Sequence, residues 1–425
     1  MKSLLRYLLC AALWIQVIKA ESQVIKAIEW QGLKKTKRSY ISRFLTFQVG
    51  EELDSAKILT TRQQLLNLRI FREVSFEVKA ADTGFVTVAF IVPEIITTVP
   101  ILDFGGIKGN LFLQAGLENA HWLGNGSFFK IYYQHSNGHS FFWKHYTPFL
   151  GANTRWGLRT NLIRLSTLEP AKFRGTSLQT AYYDYENFAV NASLVYQFEV
   201  GKTLEFGGGY QFEKFVKNTA RTPSGDTNLN TLSDDGILLK SVYSVNRVNF
   251  KGVAEKGFNH SLYAESVVGN RQYGFFFKVF DEFKIFLNPA DKVTWAFRAR
   301  VGIASNSQNP FAPFILDSFK NIRGVGNHVD RGTAEITLNI EHRYQFWRKK
   351  WGILQSVLFV DAGSWRTAGG GFSDLADTQI MQTFAGGGLR FHIPQLNNMA
   401  LRADYAFDCR KPKVNGLVIG LGQFF

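Results

Sequence analysis

The chain has 425 residues, 45% apolar, 15% aromatic and 20% charged, with 49 Lys and Arg against 34 Asp and Glu and a net charge of +15. That apolar fraction excludes long disorder, while a mean hydropathy near zero and no 18-residue apolar run after the start exclude transmembrane helices. The unusual quantity is aromatic: 39 Phe and 15 Tyr, often on every second residue, which requires either a very large soluble sandwich or a membrane barrel.

Residues 1–20 combine a basic start (Lys2, Arg6), an apolar stretch from Leu8 to Val17, and Ala20 before Glu21. This is a secretory signal pattern, too short to span a bilayer, and Ile18 leaves the exact cut open. Leu8-Leu9-Cys10 has the outline of a lipoprotein signal, but Leu9 lacks the small size such processing wants. Removal of the signal leaves only Cys409, so stability after export has to come from packing or a closed sheet rather than a disulfide.

Residues 21–100 predict a small α/β domain. Val24 to Trp30 reads as a strand ended by Gly32, followed by a basic stretch and a short helix near Ser39–Leu45. Asp54 is placed to cap a second helix, in which Ile58, Thr61, Leu65 and Leu68 share one face. Two strands follow. In Arg72–Lys79, Val74, Phe76 and Val78 alternate with polar residues, and Asp82-Thr83-Gly84 turns the chain into Phe85–Val92. This β-α-α-β-β order, with Asn67 to Val74 leading into the second strand, resembles a POTRA domain. The resemblance implies a periplasmic domain that hands polypeptides to a barrel behind it. It also puts Val74, Phe76 and Val78 on an edge strand able to pair with an extended client through main-chain hydrogen bonds.

Residues 101–425 read as a transmembrane barrel of 16 antiparallel strands. Val190, Leu194, Tyr196 and Phe198 alternate with polar residues, as do Leu204, Phe206, Tyr210 and Phe212, and Val293, Trp295, Phe297, Val301 and Ile303. Such strands suit lipid outside and water inside. Sixteen candidates fall near 110–119, 127–135, 140–149, 155–164, 175–185, 188–199, 203–215, 236–249, 260–268, 273–286, 292–304, 333–346, 352–363, 379–391, 399–407 and 415–425. The longest gaps follow strands 7, 11 and 13. With the first domain in the periplasm, all three face outward, a parity that a soluble sandwich would not show. Leu417, Ile419, Leu421 and Phe425 are expected to face lipid. Gly420 and the terminal Phe425 resemble the carboxy-terminal signal of outer-membrane barrels, with Gln423 at a usually apolar position.

Three pieces then fall in order. Asn321-Ile322-Arg323-Gly324-Val325-Gly326 lies between strands 11 and 12, Glu341 sits on strand 12, and Phe359-Val360-Asp361-Ala362-Gly363 ends strand 13. Alternation puts Glu341 and Asp361 in the lumen, where an infolded loop brings Arg323 between them. This resembles the insertase superfamily of BamA, TamA and the two-partner secretion pores, in which an Arg-Gly-aromatic loop motif is pinned to those two acids. The resemblance covers essentially the whole mature chain and implies a loop lock of Arg323, Gly324, Glu341, Asp361 and Gly363. Val325 stands where the family usually has Phe or Tyr.

No enzyme is expected. Gly201-Lys202-Thr203 lacks the upstream glycine of a phosphate loop, and Gly324-x-Gly326 opens no helix. His135, His139 and His145 are not read as a metal site, and no cofactor is called for. The barrel segment carries an excess of about ten basic residues, with Arg298 and Arg300 facing the lumen, which would attract anionic headgroups or acidic client segments. Nucleic acid fits neither compartment nor architecture. The expected function is an outer-membrane assembly factor that receives unfolded outer-membrane proteins in the periplasm and assists their insertion; a single amino-terminal domain suits an accessory or specialised insertase beside a larger paralogue. Periplasmic chaperones, assembly lipoproteins and outer-membrane lipid are its conceivable partners. The alternatives are a secretion pore of the same superfamily, which usually has two periplasmic domains and a plugging helix for which Glu21–Val24 leaves no room, or a passive structural barrel.

Overall fold

The computed structural model describes residues 23–107, 110–151, 153–174, 178–222, 230–270, 274–305, 312–317, 321–326, 330–396 and 399–425. The signal segment expected at residues 1–20 lies outside them.

The amino-terminal domain has the β-α-α-β-β order its patterning predicts: β1 (Val24–Gln31), α1 (Arg38–Ile41) continued by a 3-10 turn at Ser42–Phe44, α2 (Ser55–Asn67), β2 (Ser75–Asp82) and β3 (Phe85–Ile91). Asp54 caps α2, its Oδ1 accepting from the Ala56 and Lys57 amides at 2.8 and 3.4 Å. Ile58, Thr61 and Leu65 are buried on one helix face, in the domain's core with Val86, Val88 and Phe90 of β3. β3 is central, with β1 parallel on one side and β2 antiparallel on the other. β2 therefore forms a sheet edge. Val74 is buried just before it, Phe76 packs against the core, and Val78 is exposed.

Sixteen long strands close into an antiparallel barrel. In order they are Thr98–Ile107, Asn110–Asn119, Phe128–His135, His139–Thr147, Trp156–Arg174, Leu178–Glu199, Lys202–Lys217, Thr231–Asn246, Ala254–Asn270, Gly274–Ala290, Val293–Ala304, Ala334–Lys349, Gly352–Arg366, Gln382–Ile393, Met399–Asp408 and Asn415–Leu421. A short piece, Asn249–Lys251, hairpins against the start of strand 9. Apolar residues such as Leu102, Phe206, Val301, Leu338, Leu358 and Tyr405 are exposed on the outer wall. Their inward neighbours are polar and buried: Glu335, Thr337, Asn339 and Glu341 line the lumen from strand 12, with Thr333 just before it. A lipid-facing apolar wall around a polar interior is the pattern of an outer-membrane barrel.

The strand count of 16 matches the sequence reading through two offsetting differences. Thr98–Ile107, which straddles the expected boundary at 100 and is absent from the sixteen candidates, is the first barrel strand. Pro100 and Gly105-Gly106 obscured it, yet Leu102 and Phe104 point outward while Ile101 and Asp103 are buried. The segments 175–185 and 188–199 are one strand of 22 residues, Leu178–Glu199. Its polar pair Glu186-Asn187 reads as a turn but continues the ladder, opposite Lys214 and Glu213. Numbering is unaffected from strand 7 onward, so the three longest connections still share one end of the barrel. Earlier connections change ends. Residues 120–127, expected on the far side, lie at the domain end, where the Lys37 amide donates to the Gly124 carbonyl at 2.8 Å.

Candidate functional site: the arginine lock beside the barrel seam

Residues 321–326 fold into the lumen, and Arg323, Glu341 and Asp361 are all wholly buried there. The Arg323 fork meets Asp361 with two parallel bonds, Nε to Oδ2 and Nη2 to Oδ1, each 2.8 Å. Its backbone amide donates to the same Oδ2 at 3.0 Å, and Nη1 donates to Glu341 Oε1. The planar guanidinium lies 3.5 Å from the Phe359 ring centroid and 4.2 Å from that of Phe424. Only arginine supplies a rigid fork that can pair two carboxylates and stack on rings at once.

The remaining lone pairs are also engaged. Asn339 Nδ2 donates to Asp361 Oδ1 and to the Asn321 carbonyl, both at 2.8 Å. Glu341 Oε2 accepts from Arg343 Nε at 2.7 Å, and Arg343 Nη1 reaches Glu255 Oε2 at 2.6 Å. Arg390 forms a second fork, on Asp404, at 2.7 and 2.9 Å. Alternation makes each of these residues legible as inward, but their pairing across strands is not a sequence signal.

Gly324 and Gly363 have steric reasons to be glycine. Gly324 has φ of +87°, and a Cβ there would lie 2.8 Å from Ala406 Cβ. A Cβ on Gly363 would lie 2.6 Å from the Trp365 ring and 3.0 Å from Ile322 Cδ1. Val325, in the position usually aromatic, is buried in an apolar cluster with Ile322, Phe314, Trp365 and Phe384. The loop tip also touches the last strand: a Cβ on Gly416 would meet the Gly324 backbone at 3.0 Å.

The chain terminus departs from the sequence reading. Phe425 does not face lipid. Strand 16 ends at Leu421, and Gly422, with φ of +94°, turns Gln423–Phe425 inward. Phe424 is buried between the Arg323 and Arg402 guanidinium groups, and the Phe425 carbonyl accepts from Arg343 Nη2 at 3.1 Å. Gln423 Nε2 donates to Gln355 Oε1 at 3.0 Å, which explains a polar residue at that position. Strand alternation was extended through a glycine that ends it. Gly420 faces inward at the seam, where Asp103 fills the space a Cβ would need.

Closure of the barrel is thin. Among the described residues strand 16 pairs with strand 1 at three positions, Leu417–Gly106, Val418–Gly105 and Ile419–Phe104. Each seam strand makes longer ladders with its other neighbour: seven positions to strand 15 and ten to strand 2. Below the paired stretch, the Asp103 carboxylate accepts the Leu421 amide at 3.0 Å, a side chain standing in for a ladder bond. Pro100, which has no amide hydrogen, sits beyond that pairing, as a strand edge allows.

The amino-terminal domain is docked across the near mouth. Arg43 donates to the Thr154 and Gly151 carbonyls at 2.9 and 2.7 Å and stacks on Phe149. Asn67 of α2 donates to Asn249 Oδ1 at 2.9 Å and accepts the Phe250 amide at 3.1 Å. Glu94 gathers the Lys34, Lys35 and Thr36 amides at 2.8–3.1 Å, and Thr36 Oγ1 lies 3.0 Å from His121 Nε2 in the turn after strand 2. Burial raises the Glu94 carboxyl, but these hydrogen bonds outweigh it and hold the pKa below the ordinary value. Burial lowers His121 to about 4, against a weaker opposing pull from Glu94.

A small α/β domain docked on a sixteen-stranded barrel with an arginine loop locked inside defines a class of two-part outer-membrane barrel proteins. The chain matches the family described as POTRA, surface antigen variable number repeat, over residues 23–94. It shares its fold with BamA from Haemophilus ducreyi lacking POTRA domains 1–3, at 15% identity and a TM-score of 0.56, covering 94% of this chain and 84% of that one. CdiB from Escherichia coli is similar at 13% identity and 0.56, covering 94% and 76%, and CdiB from Acinetobacter baumannii at 14% and 0.57, covering 94% and 74%. No curated protein matches. POTRA domain and closed barrel together give the chain the same two-part fold as those solved structures.

Proposed function

We propose that this protein is an outer-membrane insertase. Its POTRA domain lies in the periplasm, receives unfolded outer-membrane proteins, and passes them to the barrel for insertion. The observation that carries this reading is the asymmetry of the wall. Next to the three-position seam, the loop tip is joined to strands 12 and 13 by buried ion pairs and the chain terminus to strand 12 by a hydrogen bond, so the lock braces one side of a wall whose other side is weakly closed. A client strand that pairs with the freed edge satisfies its own backbone groups and buries apolar surface in lipid, so the client supplies the free energy and no nucleotide is needed. Edge strand β2 supports the receiving role, since its open side offers sequence-tolerant main-chain hydrogen bonds.

The alternative, a secretion pore, draws on the equal likeness to CdiB. It asks a client to pass through a lumen that already holds residues 321–326 and Phe424. A lateral route leaves those residues in place. The test is the rate at which an unfolded outer-membrane protein becomes folded and protease-protected in liposomes bearing this protein. Acceleration over empty liposomes is the expected result. No acceleration across several clients, with steady ion conductance, contradicts it and favours the pore.

A further inference from the structure

The long connection between strands 11 and 12 has a second anchor. Two short strands in it, Phe314–Leu316 and Asp330–Gly332, form an antiparallel hairpin that sets Arg331 opposite Ile315. Arg331 is buried. Its Nε donates to Glu169 Oε2 at 3.1 Å and its Nη1 to the Ala312 carbonyl at 3.0 Å. The guanidinium lies 5.2 Å from the Tyr185 ring and 5.6 Å from that of Phe215, within an apolar socket completed by Ala171, Ala181 and Tyr183. Glu169, wholly buried, belongs to strand 5, which lies seven strands from strand 12 one way around the barrel and nine the other. Arg323 pins the same connection to strands 12 and 13. One connection is thus fixed to nearly opposite walls.

We infer that Arg331 and Glu169 form a positioning pair that holds this hairpin across the far mouth of the lumen as a seal, and so set the resting conductance of the barrel. A loop held at Arg323 alone could swing about that point. A second charge pair on the facing wall removes the swing. Tyr185 and Phe215 extend the anchor to strands 6 and 7, and Tyr185 in turn donates to Glu213 at 2.5 Å. Strands 5 and 6, at 19 and 22 residues, are about twice the 9–11 residues a spanning strand needs, so their outer ends rise beyond the membrane and build the socket there. This seal is separate from the insertase reading, because conductance requires no client.

The experiment is single-channel recording of the full-length protein in planar bilayers. Arg331→Ala, Glu169→Gln and the charge-exchanged double variant Glu169→Arg with Arg331→Glu are compared with wild type, and heat-modifiable gel mobility reports folding. Each single variant is expected to raise resting conductance severalfold, and the exchanged pair to restore part of the closure. Folded single variants that conduct like wild type overturn the inference, as does a change confined to thermal stability. If the single variants do not fold, a disulfide between Glu169→Cys and Arg331→Cys in a Cys409→Ser background decides instead. Low conductance when oxidised and high when reduced is expected, and equal conductance in both states overturns the inference.

Discussion

Arg323 gives up its hydration entirely and recovers it through Asp361, Glu341 and two aromatic faces. Arg323→Ala leaves two buried carboxylates facing each other, and removing one partner of such a pair costs about 3–5 kcal/mol. The unfolding temperature read from gel mobility should therefore fall clearly. Arg323→Lys should recover only part of the loss, because a point charge cannot fork. Gly324→Val is expected to release the loop with the charges intact, since its φ of +87° and the 2.8 Å approach to Ala406 leave no room for a branched side chain. Protease access to residues 321–326 in the folded barrel checks this. At the domain interface, His121 docks neutral with its pKa lowered from 6.5 to about 4, so the undocked form binds the proton first. Docking stability is then fully present above 6.5 and lost as pH falls toward 4. Distances between spin labels on the domain and the barrel should lengthen over that range. His121→Asn should flatten the upper part of the response.

Among the elements, those with clean alternation were legible. Strand 12 reads from sequence with the correct face inward, because Leu338 and Ile340 outside and Thr337, Asn339 and Glu341 inside leave one solution. The first strand was not legible, since Pro100 and Gly105-Gly106 break up its alternation in sequence, while at a seam they mark an edge. The terminal turn escaped for the opposite reason: Gln423-Phe424-Phe425 continues an apolar strand pattern that Gly422 interrupts in space. Both misreadings fall on the two sides of the seam, where ordinary ladder rules are relaxed. The lock acids and Arg323 were legible by facing and order. The pairings of Arg343, Arg390 and Asp404 were not, because cross-strand register decides which inward charges meet. At the receiving edge, a photo-crosslinking side chain at Val78 of β2 should capture an unfolded client while one at Val88 of the central strand should not. Equal capture at both would remove β2 as the receiving edge.

At the scale of the whole molecule, the proposed insertase reading makes the docked domain, the braced wall and the short seam one path from the near mouth to the lipid. The central claim is that the path passes through the seam, which a reversible staple tests most directly. Phe104→Cys and Ile419→Cys, paired opposite each other, can close it as a disulfide in a Cys409→Ser background, with Cys409 otherwise exposed and free. The measurement is the folding rate of an unfolded outer-membrane protein in liposomes bearing this variant, before and after addition of reductant. The account expects no acceleration while the seam is stapled and recovery once it is reduced. Equal acceleration in both states would contradict it, because the client would then be reaching the membrane without opening this seam.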